Sequence, residues 1–328
     1  MKKNIIIFRI GKLGDTVVSL PAIFNIIDSN EDINNRRVYL LTERCTSGIN
    51  IAKIFENRGA FNEILLYDDA TSLIVLLKRF RAENTGLIEL VYLMPYRNIY
   101  QKIRDYIFFQ IFLHPNSFFG IFEISNNLIE WKRLYELSCT YTRQEIQIEL
   151  LYKRLLNSGD FYSLDNNEKY IAIGVGTAMP AKQWPIDYFM RLIQLLNNTK
   201  YKIILLGDKK DSNLSRIIKE KYRYVIDLCN KTTIFQSINI LEKCDIYVGN
   251  DTGTMHLAGF AGIRCVALFS ARDVYMKWMP IGSGHILIQK KIYCEGCMLE
   301  KCINNNECMK MITVDEVYNV VENLLLNK

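Results

Sequence analysis

Histidine is nearly absent: three in 328 residues leave no room for a histidine-rich metal site. Proline is scarce as well, and no stretch approaches the ~20 consecutive apolar residues of a membrane-spanning helix. No block of Lys or Arg stands together, so the footprint of a nucleic-acid-binding surface is missing and no nucleic-acid partner is expected. The net charge of +6 is spread along the chain and suits small anionic ligands or a membrane surface. Disorder is excluded by an aromatic share of 12%. A secretory leader is not expected either. The apolar run 5–8 is broken at once by Arg9, Lys12 and Asp15, and no small-residue cleavage site follows. Nine cysteines without such a leader point to a reducing compartment, and the expected location is cytoplasmic.

What is present is an alternation of short apolar runs and helical patterns. A chain of 328 residues, 49% of them hydrophobic, has the material for two domains. In the first half, strands are expected over 4–10, 38–42, 63–67 and 87–93, and helices over 17–27, 49–57, 73–81 and 143–156. A polar stretch at 165–169 is the best linker. The second half restarts the pattern, with strands at 170–175, 201–206, 225–228, 245–248 and 265–269. Helices are expected between them, over 186–196, up to 221 and over 233–243. Such an order implies an α/β fold of two Rossmann-like domains with parallel sheets facing a cleft, 1–164 and 165–328, the last helix being able to pack back on the first.

The richest stretch for chemistry is Asn250-Asp251-Thr252-Gly253-Thr254-Met255-His256, a turn between a buried strand and a small apolar helix. The unpaired N–H groups of a helix start and its positive dipole end suit a phosphate or diphosphate. Thr252 and Thr254 add hydroxyls, and His256 falls on the first turn. By itself the turn fits an ordinary capped helix equally well. The earlier turn, Gly11-Lys12-Leu13-Gly14-Asp15-Thr16, fits neither the dinucleotide fingerprint nor the P-loop pattern. It sets Asp15 at a helix start, as a cap on the residues alone, or as a general base near a substrate hydroxyl. Pro21 follows, expected near the first turn, where proline costs little. Thr177 and Lys182, on the loop after the strand at 170–175, add a hydroxyl and a cation for a diphosphate.

Taken together, these pieces resemble the family-nine glycosyltransferases, the ADP-heptose:lipopolysaccharide heptosyltransferases and their relatives. The resemblance covers essentially the whole chain. Gly14-Asp15 with Pro21-Ala22, Lys182-Gln183-Trp184-Pro185 and Asn230-Lys231-Thr232 carry it, and so does the run from Asn250 to Ala258 with Ala267-Leu268-Phe269. Trp278-x-Pro280 and Cys308-Met309 continue in register. The resemblance implies the GT-B fold, an acceptor-binding N-terminal domain and a donor-binding C-terminal one. It implies an inverting, metal-independent transfer in which Asp15 is the base and Lys12 and Gly14 line the acceptor loop. Lys182 and Thr177 would face the leaving diphosphate, with Thr252, Gly253 and Thr254 on the phosphates. Asp251 would bind the sugar or order the loop, and His256 would sit close to the phosphates or the sugar. ADP-heptose is the first donor and a lipopolysaccharide core, O-antigen or other glycan the acceptor. A UDP-, GDP- or dTDP-sugar donor and a protein acceptor are the nearer alternatives. A nucleotide-sugar 2-epimerase or a non-catalytic nucleotide- or glycan-binding module are the remoter ones.

Three regions stand apart. Ser270-Ala271-Arg272-Asp273 departs from the family pattern, and Arg272 is a candidate contact to an unusual sugar or base. Cys294, Cys297, Cys302 and Cys308 fall within fifteen positions, a spacing that suits a structural four-thiolate zinc or iron site. The other five, Cys45, Cys139, Cys229, Cys244 and Cys265, read as core residues, and His285 as a surface loop residue. Finally, the aromatic stretch 96–113 has helical apolar spacing. It reads first as a core helix and second as a peripheral contact to the cytoplasmic face of the inner membrane, receiving a lipid-linked acceptor.

Overall fold

The computed structural model describes residues 2–29, 35–44, 51–55, 59–95, 97–123, 125, 127–148 and 162–326. Its contacts divide the chain into two compact units, Met1–Ile146 and Gln147–Lys328.

The first unit is built on β1 (Lys3–Phe8), β2 (Arg36–Glu43), β3 (Glu63–Tyr67), β4 (Leu87–Tyr92) and β5 (Ser117–Phe119). They form one parallel sheet in the order β3-β2-β1-β4-β5. β1 reads as an unbroken apolar run because both its faces are covered; Ile5, Ile6 and Ile7 are fully buried. The covering helices are α1 (Leu13–Ile27), α2 (Ile51–Phe55), α3 (Ala70–Glu83), α4 (Ile99–Phe112) and α5 (Glu130–Thr142). Strand order reverses between β1 and β4, and beyond that reversal, at the carboxyl ends, such sheets bind ligands.

Several expectations change here. α1 starts four residues early, so Asp15 lies in its first turn while Pro21 is the ninth of fifteen residues. An interior proline costs about 3 kcal/mol, and full burial of Val17, Val18, Leu20 and Ile23 offsets it. α5 was not anticipated; it packs along α1 and buries Trp131, Leu134 and Leu137. Arg143, with φ of 56°, ends it in the left-handed region. The helix expected at 143–156 is therefore absent from 143–147, Ile148 lies in a 3-10 turn, and the remainder lies outside the described residues, as do most of the flanks of α2.

The second unit carries β6 (Lys169–Gly174), β7 (Tyr201–Leu205), β8 (Ile226–Asp227), β9 (Ile246–Asn250), β10 (Cys265–Phe269) and β11 (Ile286–Gln289). This sheet is parallel throughout, in the order β11-β10-β9-β6-β7-β8, so its reversal lies between β6 and β9. Its helices are α6 (Ile186–Leu196), α7 (Ser212–Lys221), α8 (Ile234–Glu242), α9 (Gly253–Phe260), α10 (Glu307–Lys310) and α11 (Val314–Leu326). Trp184 is fully buried in this core and its Nε1 donates to the carbonyl of Ile312 at 2.9 Å. The last helix packs within the second unit. Val314, Val317 and Val321 face the sheet beside α6, because that face is the apolar one.

Candidate active site

In the second unit the reversal point is shaped by small residues. The ring of Tyr247 lies over Gly174 and Gly249; a Cβ on Gly174 would fall 2.0 Å from its hydroxyl oxygen. Asn250, at the end of β9, is buried and sews on the loop that follows β6. Its Oδ1 accepts from the Trp184 N–H at 3.0 Å, and its Nδ2 donates to the carbonyls of Val175 and Gly176, each at 3.2 Å. Gln183 adds bonds from its Nε2 to the carbonyls of Val175 and Trp184. The loop is thereby fixed with Lys182 pointing at the next strand end.

There Lys182 Nζ meets Asp251 Oδ2 at 2.5 Å, the two side chains being 13% and 7% exposed. Asp251 Oδ1 is 3.8 Å from Nε2 of the buried His256. Thr252 is the N-cap of α9 with extended backbone, and Gly253 and Thr254 open the helix. The first-turn N–H groups of α9 lack helical acceptors by geometry, so they stand beside a buried ammonium, an arrangement matched to a diphosphate. Thr177 Oγ1 accepts from the Met179 N–H at 3.2 Å and so orders the loop leading to Lys182. The structure thus brings Lys182, Asp251, Thr252, Gly253, Thr254 and His256 together at one strand end.

One group here escaped the sequence reading. The Asp211 carboxylate lies against Gly176 and Gly207, where any Cβ would collide with it, and accepts from the Asp208 N–H at 2.9 Å. Burial pushes it up to about 6. The only trace in the sequence is a glycine after each of two neighbouring strands.

In the first unit, Asp15 is the third residue of α1 and its Oδ2 accepts from the Lys12 N–H at 3.1 Å. The capping role is therefore real, and it fixes the carboxylate rather than hiding it, since Asp15 is only half-buried. Gly11, with φ of 140°, has no room for a Cβ against the Asp15 side chain. Gly14 lies in the same first helical turn. Beneath them is Arg9, fully buried, which burial lowers to about 10 against the opposing pull of Asp15 and Glu130. Its guanidinium donates to the carbonyls of Leu93 and Asp15. Glu130, also buried, pairs with Arg133 at 2.8 Å, and Arg133 donates to the Met94 carbonyl. None of Arg9, Glu130 and Arg133 was singled out from sequence; a charge inside an apolar strand was the signal available for Arg9.

Other expectations are corrected. Arg272 is buried and donates from Nε and Nη2 to the carbonyls of Leu299 and Met298, holding the segment that follows. His285 is no loose loop residue: Nδ1 accepts from the Cys265 N–H, and Nε2 lies 2.8 Å from the Ile281 carbonyl. Among the described residues no three His, Cys, Asp or Glu side chains are placed to hold one metal ion. Cys294, Cys297 and Cys302 are half-buried, and Cys308 is packed into the core next to Met309. Cys229, Cys244 and Cys265 are buried as expected, Cys139 is half-buried, and Cys45 lies outside the described residues.

Two Rossmann-like units, the second with a lysine and a helix N-terminus at its reversal point, define the GT-B class of fold. Solved structures agree on that fold. A family 9 glycosyl transferase from Veillonella parvula superposes with a TM-score of 0.72 at 15% identity, covering 100% of this chain and 99% of the other. The ADP-heptose lipopolysaccharide heptosyltransferase II of Escherichia coli does so at 0.67 and 16% identity, covering 100% and 99%. The profile of glycosyltransferase family 9 (heptosyltransferase) matches residues 127–307, and the chain belongs to that family. In sequence it is 28% identical over 171 residues to a lipooligosaccharide heptosyltransferase 2 of Campylobacter jejuni, 50% of this chain and 53% of that one. The chain thus spans about half the length of the curated relatives it matches over stretches of this length.

Proposed function

We propose that the chain is an inverting glycosyltransferase that moves a sugar from a nucleoside-diphosphate donor to a glycan of the lipopolysaccharide type. The observation that carries the reading is the Lys182–Asp251 pair at the start of α9. In the reaction, a carboxylate takes the proton of an acceptor hydroxyl and the freed oxygen attacks the anomeric carbon from the face opposite the diphosphate. The carbon–oxygen bond to the diphosphate breaks, and its electron pair stays on the departing phosphate oxygen. Charge grows on that oxygen only as the bond breaks, so preorganised positive groups there lower the barrier. Lys182 and the first-turn N–H groups of α9 supply them, and the reading calls on no metal for the transfer. Asp251 orients Lys182 and, with His256, faces the sugar; Thr252 and Thr254 add hydroxyls. Asp15 is assigned as the base, with Lys12 and Gly14 shaping the acceptor loop. Heptose carried on ADP is the first donor assignment, because the curated relatives matched over half their length are heptosyltransferases.

Two measurements test this. Asp15→Asn should abolish turnover while leaving nucleotide binding intact; unchanged turnover overturns the assignment of the base. A melting-temperature screen against ADP, UDP, GDP, CDP and dTDP reads the nucleotide directly, since a ligand of the folded state raises the transition. A shift with ADP alone supports the heptosyltransferase reading. A shift with another nucleotide keeps the transferase and changes the sugar, and no shift with any rejects the donor site.

A further inference from the structure

α4 is turned the opposite way from an ordinary surface helix. Of its side chains only Phe109 is fully buried, and Tyr106, Phe108 and Phe112 pack partly against the same core. Its exposed side chains are Ile99, Tyr100, Ile103, Arg104, Ile107 and Ile111. Tyr100 is 81% exposed and the four isoleucines are between 43% and 54% exposed. Four isoleucines at intervals of four residues make a continuous stripe along the outer face. The core-helix reading of this stretch holds for one face: the core takes the phenylalanines and leaves the isoleucines outside. Monomeric proteins seldom expose such an apolar stripe.

The charges on α4 say what covers it. Its one acid, Asp105, is turned inward, accepting from Tyr92 Oη at 2.5 Å and from the neighbouring Arg104. The cations Lys102 and Arg104 flank the stripe, and Arg97 precedes it. On the adjoining helix, Lys78 lies 5.6 Å from the Phe112 ring centre. An apolar stripe with cations and no outward carboxylate along the helix is complementary to an anionic bilayer surface. Isoleucines and Tyr100 enter the headgroup boundary while Lys and Arg stems bend back to lipid phosphates. A second copy of the chain fits less well. Arg104 stands near the midpoint of the stripe, so a two-fold pairing would bring two guanidinium groups together.

We propose that the outer face of α4, centred on Tyr100, Ile103, Ile107 and Ile111, docks the protein on an anionic lipid surface. This contact rests on the surface of the first unit and holds whether or not the transferase reading does. The test is co-sedimentation of the full chain with phosphatidylcholine vesicles, with and without phosphatidylglycerol, at low and high salt. The wild type should pellet with the anionic vesicles, and less so at high salt. The variant I103E/I107E, altered only at exposed positions, should lose at least about tenfold in partitioning, at unchanged melting temperature and nucleotide binding. K102E/R104E should lose the preference for anionic over neutral vesicles. Failure of the wild type to bind at low salt overturns the proposal, as does equal binding by I103E/I107E. Sedimentation of a dimer that I103E/I107E dissolves also overturns it and assigns the stripe to a second copy.

Discussion

The buried guanidinium of Arg9 donates to the main-chain carbonyl of Asp15, and so ties the exit of β1 to the first turn of α1. A second bond, 2.6 Å to the Leu93 carbonyl, extends the tie to the strand across the reversal point. Asp15 is therefore held from below by a charge and from in front by the Lys12 N–H. Arg9→Met should destabilise the protein by about 2–3 kcal/mol, because two interior carbonyls lose a charged donor. Arg9→Lys keeps the charge but not the fork and should fall between. Urea unfolding midpoints measure both. Turnover falling further than nucleotide affinity in Arg9→Lys marks a positioning role toward Asp15.

Lys182 and Asp251 share a nearly buried pair, so removing either leaves the other exposed to an interior that penalises lone charge. Lys182→Met should lower the melting temperature and raise the dissociation constant for nucleoside diphosphate by at least about tenfold, a loss of about 1.4 kcal/mol or more. The double variant K182M/D251N should recover stability without recovering affinity. Calorimetric titration alongside thermal melting separates the two effects.

Asp211 gives a signed pH dependence. Burial raises its folded pKa to about 6, above the ordinary carboxylate value of 3.8. The folded state therefore binds a proton that the unfolded chain releases earlier, so this group's contribution worsens as pH rises from about 4 to about 6. Above that window the penalty is constant, and below it is absent. Asp211→Asn keeps the acceptor for the Asp208 N–H and removes the ionisation. Relative to the wild type it should gain stability at neutral pH and little in acid, read from melting curves across that range.

Gly174 and Tyr247 are coupled by space. Gly174→Ala places a methyl carbon on the tyrosine hydroxyl and should destabilise the second unit by about 1–3 kcal/mol. Combining it with Tyr247→Leu should cost less than the sum of the two single changes, because the obstructing oxygen is gone. A double-mutant cycle in denaturant measures the coupling directly.

Much of the fold was legible in the chain. Buried parallel strands are written as unbroken apolar runs such as Ile5-Ile6-Ile7, and Cys265–Phe269 announces itself in the same way. The turn before α9 was legible because a strand end, cap-forming residues and a glycine follow one another within a few positions. Short elements were not: β5 has three residues and β11 four, too few for a period to show. α5 was hidden because polar Glu130 and Ser138 are buried in it, which breaks the apolar rhythm that marks a helix.

By itself the sequence determined the alternation of strands and helices, the two-unit α/β class and the positions of Asp15, Lys182 and the 251–256 turn. Those are local properties, set by periodicity, caps and turn residues that lie near one another along the chain. Tertiary structure decided which distant groups meet: Lys182 with Asp251, Asn250 with the loop after β6, and Arg9 with the carbonyls of Leu93 and Asp15. It also decided which face of α4 the sheet would bury, and that the buried Arg272 holds a loop. A helix with two apolar faces cannot declare which one is inner; only the shape of the surface it packs on makes that choice.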